Sequence, residues 1–201
     1  MSGYRYFVLF KDDYTKFRFI YFIKEKSEVA DKLKQFLAET KTAEHVVKEL
    51  LSDNGGEFDN KQVKEILKCK GIIHRFTMPY TPQQNGCSER ENRTVVETAR
   101  AIMHAHGNIT QNLWAEMINS VSYILNRTGP SNISGITPYE LWYNKKSGTK
   151  HLRIIGSTCY AHIPKQQRKK MDQKAVKGIL LGYDHNEGYR ILSEENKLIR
   201  S

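Results

Sequence analysis

Two carboxylates stand apart from the other acidic residues by where they fall. Asp53 lies where the apolar run HVVKELL (residues 45–51) breaks into SDNGGEF, and Glu89 lies just beyond MPYTPQQNG, a stretch of prolines, amides and glycine. The two are separated by 35 residues. Strand ends and helix starts bordering a loop are where an α/β protein gathers reactive groups, because the backbone there is held and the side chains are accessible. A pair of carboxylates brought together holds hard divalent cations, and two such cations clamp the attacking and leaving oxygens of an in-line phosphoryl displacement. The plainer reading is that Asp53 closes an Asx-turn and that Glu89 sits in a helix first turn, favoured by the macrodipole.

Several elements must position them. Residues 4–11 and 17–24 are aromatic and β-branched runs about the polar turn DDYT, and predict a hairpin. Its aromatics (Tyr6, Phe7, Phe10, Phe17, Phe19, Tyr21, Phe22) suit a sheet core better than a base-stacking platform. Ser27 reads as the N-cap of a helix running to about residue 41, carried by Val29, Leu33, Phe36 and Leu37. A strand over 45–51, a helix over 60–69 stopped by Gly71, and a strand over 72–77 follow. MPYTPQQNG reads as a loop. Ser88 with Glu91 three residues on has capping-box spacing, which predicts a helix from there to His106 and a stop at Gly107. A further helix, 112–126, ends at Gly129-Pro130.

The order implies an α/β fold with helices flanking a mixed sheet. After residue 143 the texture changes. NKKSGTK is a polar linker (144–150), and short β-like pieces follow at 151–155, 158–163, 178–183 and 189–192. The expected organisation is a core over 1–143 and a small, mostly β, barrel-like module over 151–201. That module carries a basic stretch, 165–177, with six Lys/Arg against Asp172 alone.

A net charge of +10 and a pI near 9.4 suit a polyanionic partner, nucleic acid above all. Hydrophobic residues at 39% supply a core. Cys69, Cys87 and Cys159 are odd in number and far apart, and fit neither a disulfide framework nor a zinc site. His104 and His106, two apart on a helix, point in different directions. No apolar run is long enough to span a bilayer, so no membrane partner is expected.

The motifs add a resemblance. Ser52-Asp53-Asn54-Gly55-Gly56-Glu57-Phe58, then Pro79-Tyr80-Thr81-Pro82-Gln83-Gln84-Asn85-Gly86, Ser88-Glu89-Arg90 and Asn92-Arg93-Thr94, resemble the retroviral-type integrases, in particular the copia-type retrotransposon class. Thr137-Pro138-Tyr139-Glu140-Leu141-Trp142, His151-Leu152-Arg153 and Gly178-Ile179-Leu180-Leu181-Gly182-Tyr183 extend the resemblance over nearly the whole chain. It implies a ribonuclease-H-like core that integrates DNA by metal-dependent strand transfer, with Mg2+ or Mn2+ as cofactor, DNA (transposon ends and target) as partner, and a homo-oligomer in the full-length integrase, acting in the nucleus. Asp53 and Glu89 would be catalytic metal ligands. Asn92, Arg93 and Arg100, with Val96, would face DNA, while Val95, Ala99, Ile102 and Met103 pack inward; Gln83, Gln84, Asn85, Lys169 and Lys170 are further DNA-binding candidates.

The chain departs from the family in one respect. The family's first acidic ligand, on a central strand of the D-x-C-G-P kind, has no counterpart, and two strands precede the first helix instead of three. The resemblance therefore implies a core lacking its first strand and inactive by itself. Asp12 is the candidate stand-in, with hairpin capping as the competing role. A non-catalytic nucleic-acid-binding remnant is the alternative reading.

Overall fold

Alternation of aromatic and β-branched residues about a polar turn produces the first element, a hairpin of β1 (Tyr6–Lys11) and β2 (Arg18–Ile23). Phe10 lies opposite Phe19 and Lys11 opposite Arg18 in its antiparallel register. The computed structural model describes residues 3–53, 55–77, 82–107, 109–184 and 188–200, the side chains of 82–85 and 87 excepted. These residues form two compact units, Met1–Val95 and Val96–Ser201.

In the first unit the hairpin packs on α1 (Val29–Thr42), whose Leu33, Phe36 and Leu37 are buried at helical spacing. The Phe10 and Phe36 rings stack with centroids 4.6 Å apart. Ser27 is not the cap of this helix. It lies inside a 3-10 turn, Lys26–Glu28, and the capping box belongs to Glu25 and Glu28. α2 (Lys61–Lys70) starts at Asn60, whose side chain accepts from Val63 N at 2.9 Å, and ends at Gly71 with φ +66°, the left-handed stop that glycine adopts without strain.

β3 (Glu49–Ser52) and β4 (Ile73–Phe76) pair in parallel on either side of α2 in sequence. The ladder takes up only the end of the run expected over 45–51, and Val46 is 82% exposed. Both parallel and antiparallel pairing occur, as the mixed-sheet expectation requires. Yet among the described residues the β1–β2 and β3–β4 pairs share no ladder. A common core nevertheless joins them: Val8, Phe10, Leu33, Phe36, Val63 and Leu67 are buried together, Leu50 packs against them, and the Phe58 ring stands edge-on to Phe10 at 6.4 Å.

The next helix, α3 (Pro82–Ala105), begins earlier than its composition suggested. Gln83, Gln84, Asn85 and Ser88 lie within it, so the expected loop over this stretch is overturned and Ser88 is not an N-cap. Proline is well placed at a first helical position because its missing N–H would have no intrahelical partner there.

In the second unit α4 (Trp114–Thr128) follows a 3-10 turn, Gln111–Leu113, and is closed by Gly129. α5 (Pro138–Tyr143) opens with a capping box between Thr137 and Glu140 and with Pro138 in the first turn. An antiparallel sheet orders β5 (Thr158–His162), β6 (Ala175–Tyr183), β7 (Tyr189–Ser193) and β8 (Leu198–Arg200) side by side. Residues 151–155 form no strand; there Arg153 N donates to the Tyr183 hydroxyl (2.9 Å), which donates in turn to Arg153 O (2.6 Å). α4 lies against β6 so closely that Ser120 Oγ donates to Leu181 O at 2.8 Å. Arg190 forks onto Glu116 through two contacts of 2.6 Å, fastening β7 to α4.

Candidate metal centre and nucleic-acid face

Asp53 follows directly on β3 and is exposed; its Oδ1 accepts from Gly55 N at 3.2 Å, the Asx-turn expected of this sequence. The strand end behind it is braced. Ser52 Oγ donates to Asp53 O at 3.0 Å and also stands 3.0 Å from His74 Nε2 on β4. Burial lowers the His74 pKa, which favours the neutral ring.

Glu89 is exposed on α3. Asn92, Arg93 and Arg100 are exposed along the same helix, with Val96 half-buried, while Val95 and Ala99 are buried and Ile102 and Met103 half-buried. The helical phase read from the sequence therefore holds for Asn92, Arg93 and Arg100 outside and for Val95 and Ala99 inside. Val96, Ile102 and Met103 are alike half-buried and do not separate as expected, and the cap is elsewhere.

Glu91, expected to cap its own helix, does something else. It is buried and its carboxylate is gripped by two cations of the hairpin, Lys11 and Arg18. Burial pushes the Glu91 carboxyl up, but its hydrogen bonds to Arg18 and Lys11 outweigh that and hold it below the ordinary carboxylate value. Sequence reasoning missed this triad. The only signal was a pair of cations, Lys11 and Arg18, equidistant from the centre of the hairpin turn and therefore facing each other.

Asp12 Oδ2 accepts from Thr15 N at 2.6 Å and from Thr15 Oγ1 at 2.7 Å, closing the hairpin turn. Among the described residues no group of three His, Cys, Asp or Glu side chains is placed to hold a metal ion. Asp53 and Glu89 have the right donors for a hard cation, exposed carboxylate oxygens. Both carboxylates are exposed, and among the described residues neither belongs to a group of three such side chains placed to hold a metal ion.

In the second unit the basic stretch 165–177 is less uniform than its composition. Arg168 turns inward to donate to Ile163 O at 3.2 Å, and Lys177 lies in β6 and pairs with Glu194 at 3.0 Å. Asp172 accepts from Lys169 N at 2.7 Å, and Lys165, Lys169, Lys170 and Lys174 remain exposed. His104 is exposed, and His106 packs against Gly156, where an added Cβ would overlap its ring. Cys69 is exposed and Cys159 half-buried, both free thiols; the Cys87 side chain lies outside the described residues, as do those of Gln83, Gln84 and Asn85.

Comparison with known proteins gives matches at both ends of the chain. Residues 1–82 match the integrase core domain family, and residues 157–201 match the retroviral polymerase SH3-like domain. The chain is 37% identical over 205 residues to the retrovirus-related Pol polyprotein from transposon TNT 1-94 of Nicotiana tabacum, covering all of this chain and 15% of that polyprotein. It thus spans only a small part of the relative's length.

Among solved structures, the catalytic core domain of BIV integrase is similar over 68% of this chain and 84% of its own, with a TM-score of 0.50 and 22% identity. The HTLV-2 integrase catalytic core domain, solved in complex with magnesium in a dimeric form, is similar over 69% and 84%, with a TM-score of 0.50 and 16% identity. At these identities the likeness is one of fold, the ribonuclease-H-like fold of integrase cores. The two domain matches and the end-to-end similarity to a transposon polyprotein carry more: the chain joins an integrase core domain to a retroviral polymerase SH3-like domain, and its relatives are retrotransposon Pol polyproteins.

Proposed function

We propose that this chain serves DNA integration: the 3′ hydroxyl of a donor DNA end attacks a target phosphodiester, and the target's own 3′ oxygen leaves. The observation that carries the proposal is the pair of exposed carboxylates, Asp53 at a strand end and Glu89 on α3, within a chain that carries an integrase core domain. Asp53 and Glu89 would hold magnesium or manganese, which supplies charge stabilisation to both oxygens of the displacement. The magnesium bound by the HTLV-2 core supports that choice of ion. The residues' own work is placement. The Ser52–His74 brace holds the strand end carrying Asp53, and α3 presents Glu89 together with Asn92, Arg93 and Arg100, which we assign to the DNA backbone. Gln83, Gln84 and Asn85 are assigned to DNA as well.

The functional division we propose is 1–143 for the core, 144–150 for a linker and 151–201 for an accessory module that binds DNA through Lys169 and Lys170. Replacing both lysines by Ala is expected to weaken DNA binding evenly across sequences. The slope of log affinity against log salt should flatten by about 2, roughly 0.9 for each phosphate no longer neutralised. Binding titrations at several salt concentrations check this; an unchanged slope would leave the loop an ordinary solvated one. Activity on chromosomal DNA would place the protein in the nucleus, and the dimeric HTLV-2 core supports a homo-oligomer.

We further propose that these 201 residues alone do not transfer strands. Two carboxylates are one short of the family's three, and the Asp12 carboxylate is taken up by Thr15. Among the described residues β1–β2 and β3–β4 form separate two-stranded ladders, and a further strand could pair with the edges of both. The assay supplies a donor-end oligonucleotide with magnesium or manganese and compares the chain with a version extended upstream by one strand bearing an Asp. Activity only in the extended version is the expected result. Activity in the unextended chain that Asp12→Asn abolishes would make Asp12 the first ligand.

The same missing third carboxylate favours a second reading, a non-catalytic nucleic-acid-binding remnant. That reading is sustained if neither version cleaves or joins DNA with either metal while both still bind it.

A further inference from the structure

We propose that Glu91, held between Lys11 and Arg18, is the positioning residue that sets where Glu89 stands. The proposal rests on the reading of Asp53 and Glu89 as metal ligands and adds what aligns them.

Lys11 and Arg18 are direct cross-strand partners at the closed end of the hairpin. Like charges facing each other across an antiparallel pair repel. The Glu91 carboxylate reaches both, with Oε1 on Arg18 Nε and Oε2 on Lys11 Nζ, so the repelling pair becomes a two-pronged socket. Arg18 is 6% exposed and Glu91 is 8% exposed, so the socket is shielded from solvent. A carboxylate bound at both oxygens fixes rotation of the helix about its axis and sliding along it, which a single apolar contact does not. Glu91 is two residues from Glu89, about 200° around the helix, so seating one residue inward presents the other outward.

From the socket the line of contact runs on to the other carboxylate. Phe10 adjoins Lys11 in β1 and stands edge-on to Phe58, and Phe58 N donates to Gly55 O at 2.9 Å in the turn that follows Asp53. The hairpin is thereby the common base for the helix bearing Glu89 and the turn bearing Asp53.

The test uses the whole chain and manganese as the probe. Mn2+ titrations are followed by paramagnetic broadening of the Asp53 and Glu89 amide resonances, and each variant's fold is verified by circular dichroism. Glu91→Gln and Arg18→Met are expected to weaken Mn2+ by about tenfold to a hundredfold, the effect of losing a group that orients a ligand. Arg18→Lys, which keeps the cation, restores most of the affinity, and Glu97→Gln, an exposed carboxylate elsewhere on α3, leaves it unchanged. Should Glu91→Gln fail to fold, Lys11→Met removes one prong while leaving the Glu91–Arg18 pair, and weakening in the same direction is expected. Wild-type affinity in the folded Glu91→Gln and Lys11→Met variants overturns the proposal while leaving the metal reading intact. Absence of broadening at Asp53 and Glu89 in the unaltered chain overturns the metal reading and this proposal with it.

Discussion

Gly182→Ala is expected to destabilise the second unit by about 3 kcal/mol, near the top of the range for overpacking a tight core. A Cβ built at residue 182 would overlap the Ser120 hydroxyl and lie 3.1 Å from Ser120 Cβ. Ser120 cannot simply turn away, because it is fully buried in α4 and donates to Leu181 O at 2.8 Å. Displacing it strands a buried carbonyl, at a further cost of about 1–3 kcal/mol. At roughly 4 °C per kcal/mol the melting temperature should fall by about 10 °C or more. Thermal melts followed by circular dichroism check this. The double variant Gly182→Ala with Ser120→Gly should recover part of the loss, limited by the roughly 1 kcal/mol that glycine costs inside a helix. A Gly182→Ala protein that melts with the unaltered one would show that α4 does not approach β6 this closely.

Removing the charge of Glu91 should cost about 3–5 kcal/mol at neutral pH, since it takes away the ionised half of a buried, hydrogen-bonded ion pair with Arg18. The cost should depend on pH in a definite direction. The folded-state pKa of Glu91 is held below its ordinary value of 4.5, so its stabilisation is present above that value and is lost as pH falls through the folded one. Urea unfolding of the unaltered chain and of Glu91→Gln at pH 7 should therefore show a wide gap. The gap should narrow as the pH is lowered below 4.5. A gap of the same width at all pH values would mean that Glu91 contributes by packing rather than by charge.

How much of this was legible in the sequence varies element by element. The hairpin, α2 and α4 were readable because their signals are local: alternation about DDYT, the left-handed stop at Gly71, and apolar periodicity closed by Gly129. The beginning of α3 was not. Pro82, Asn85 and Gly86 carry loop chemistry, and the helix runs on despite the low helix propensity of asparagine and glycine, with Gln83 and Gln84 favouring it. Glu91 shows the deeper difficulty. Its spacing from Ser88 is that of a capping box, yet its carboxylate goes to Arg18 and Lys11, 73 and 80 residues away in sequence. A local pattern cannot distinguish a side chain turned back on its own backbone from one used across the fold. Residues 151–155 misled for the same reason, because Tyr183 takes up the backbone of Arg153 that a strand neighbour would otherwise have satisfied. Conversely Thr137-Pro138-Tyr139-Glu140 is a complete helix-start signal, realised in α5. At the candidate site Asp53 and Glu89 were named through their motifs, while the groups that brace them, His74, Lys11 and Arg18, carry no motif at all.

The claim that Asp53 is a metal ligand is tested most directly by changing the atom it offers. In the strand-extended version, Asp53→Cys replaces a hard oxygen donor by a thiolate, which binds magnesium poorly and softer cations better. Joining of a donor-end oligonucleotide should fall to background with magnesium and return in part with manganese, whereas Asp53→Asn stays at background with both. Full magnesium-supported joining by Asp53→Cys would contradict the assignment of Asp53 as a metal ligand, and with it the account of how this chain acts on DNA.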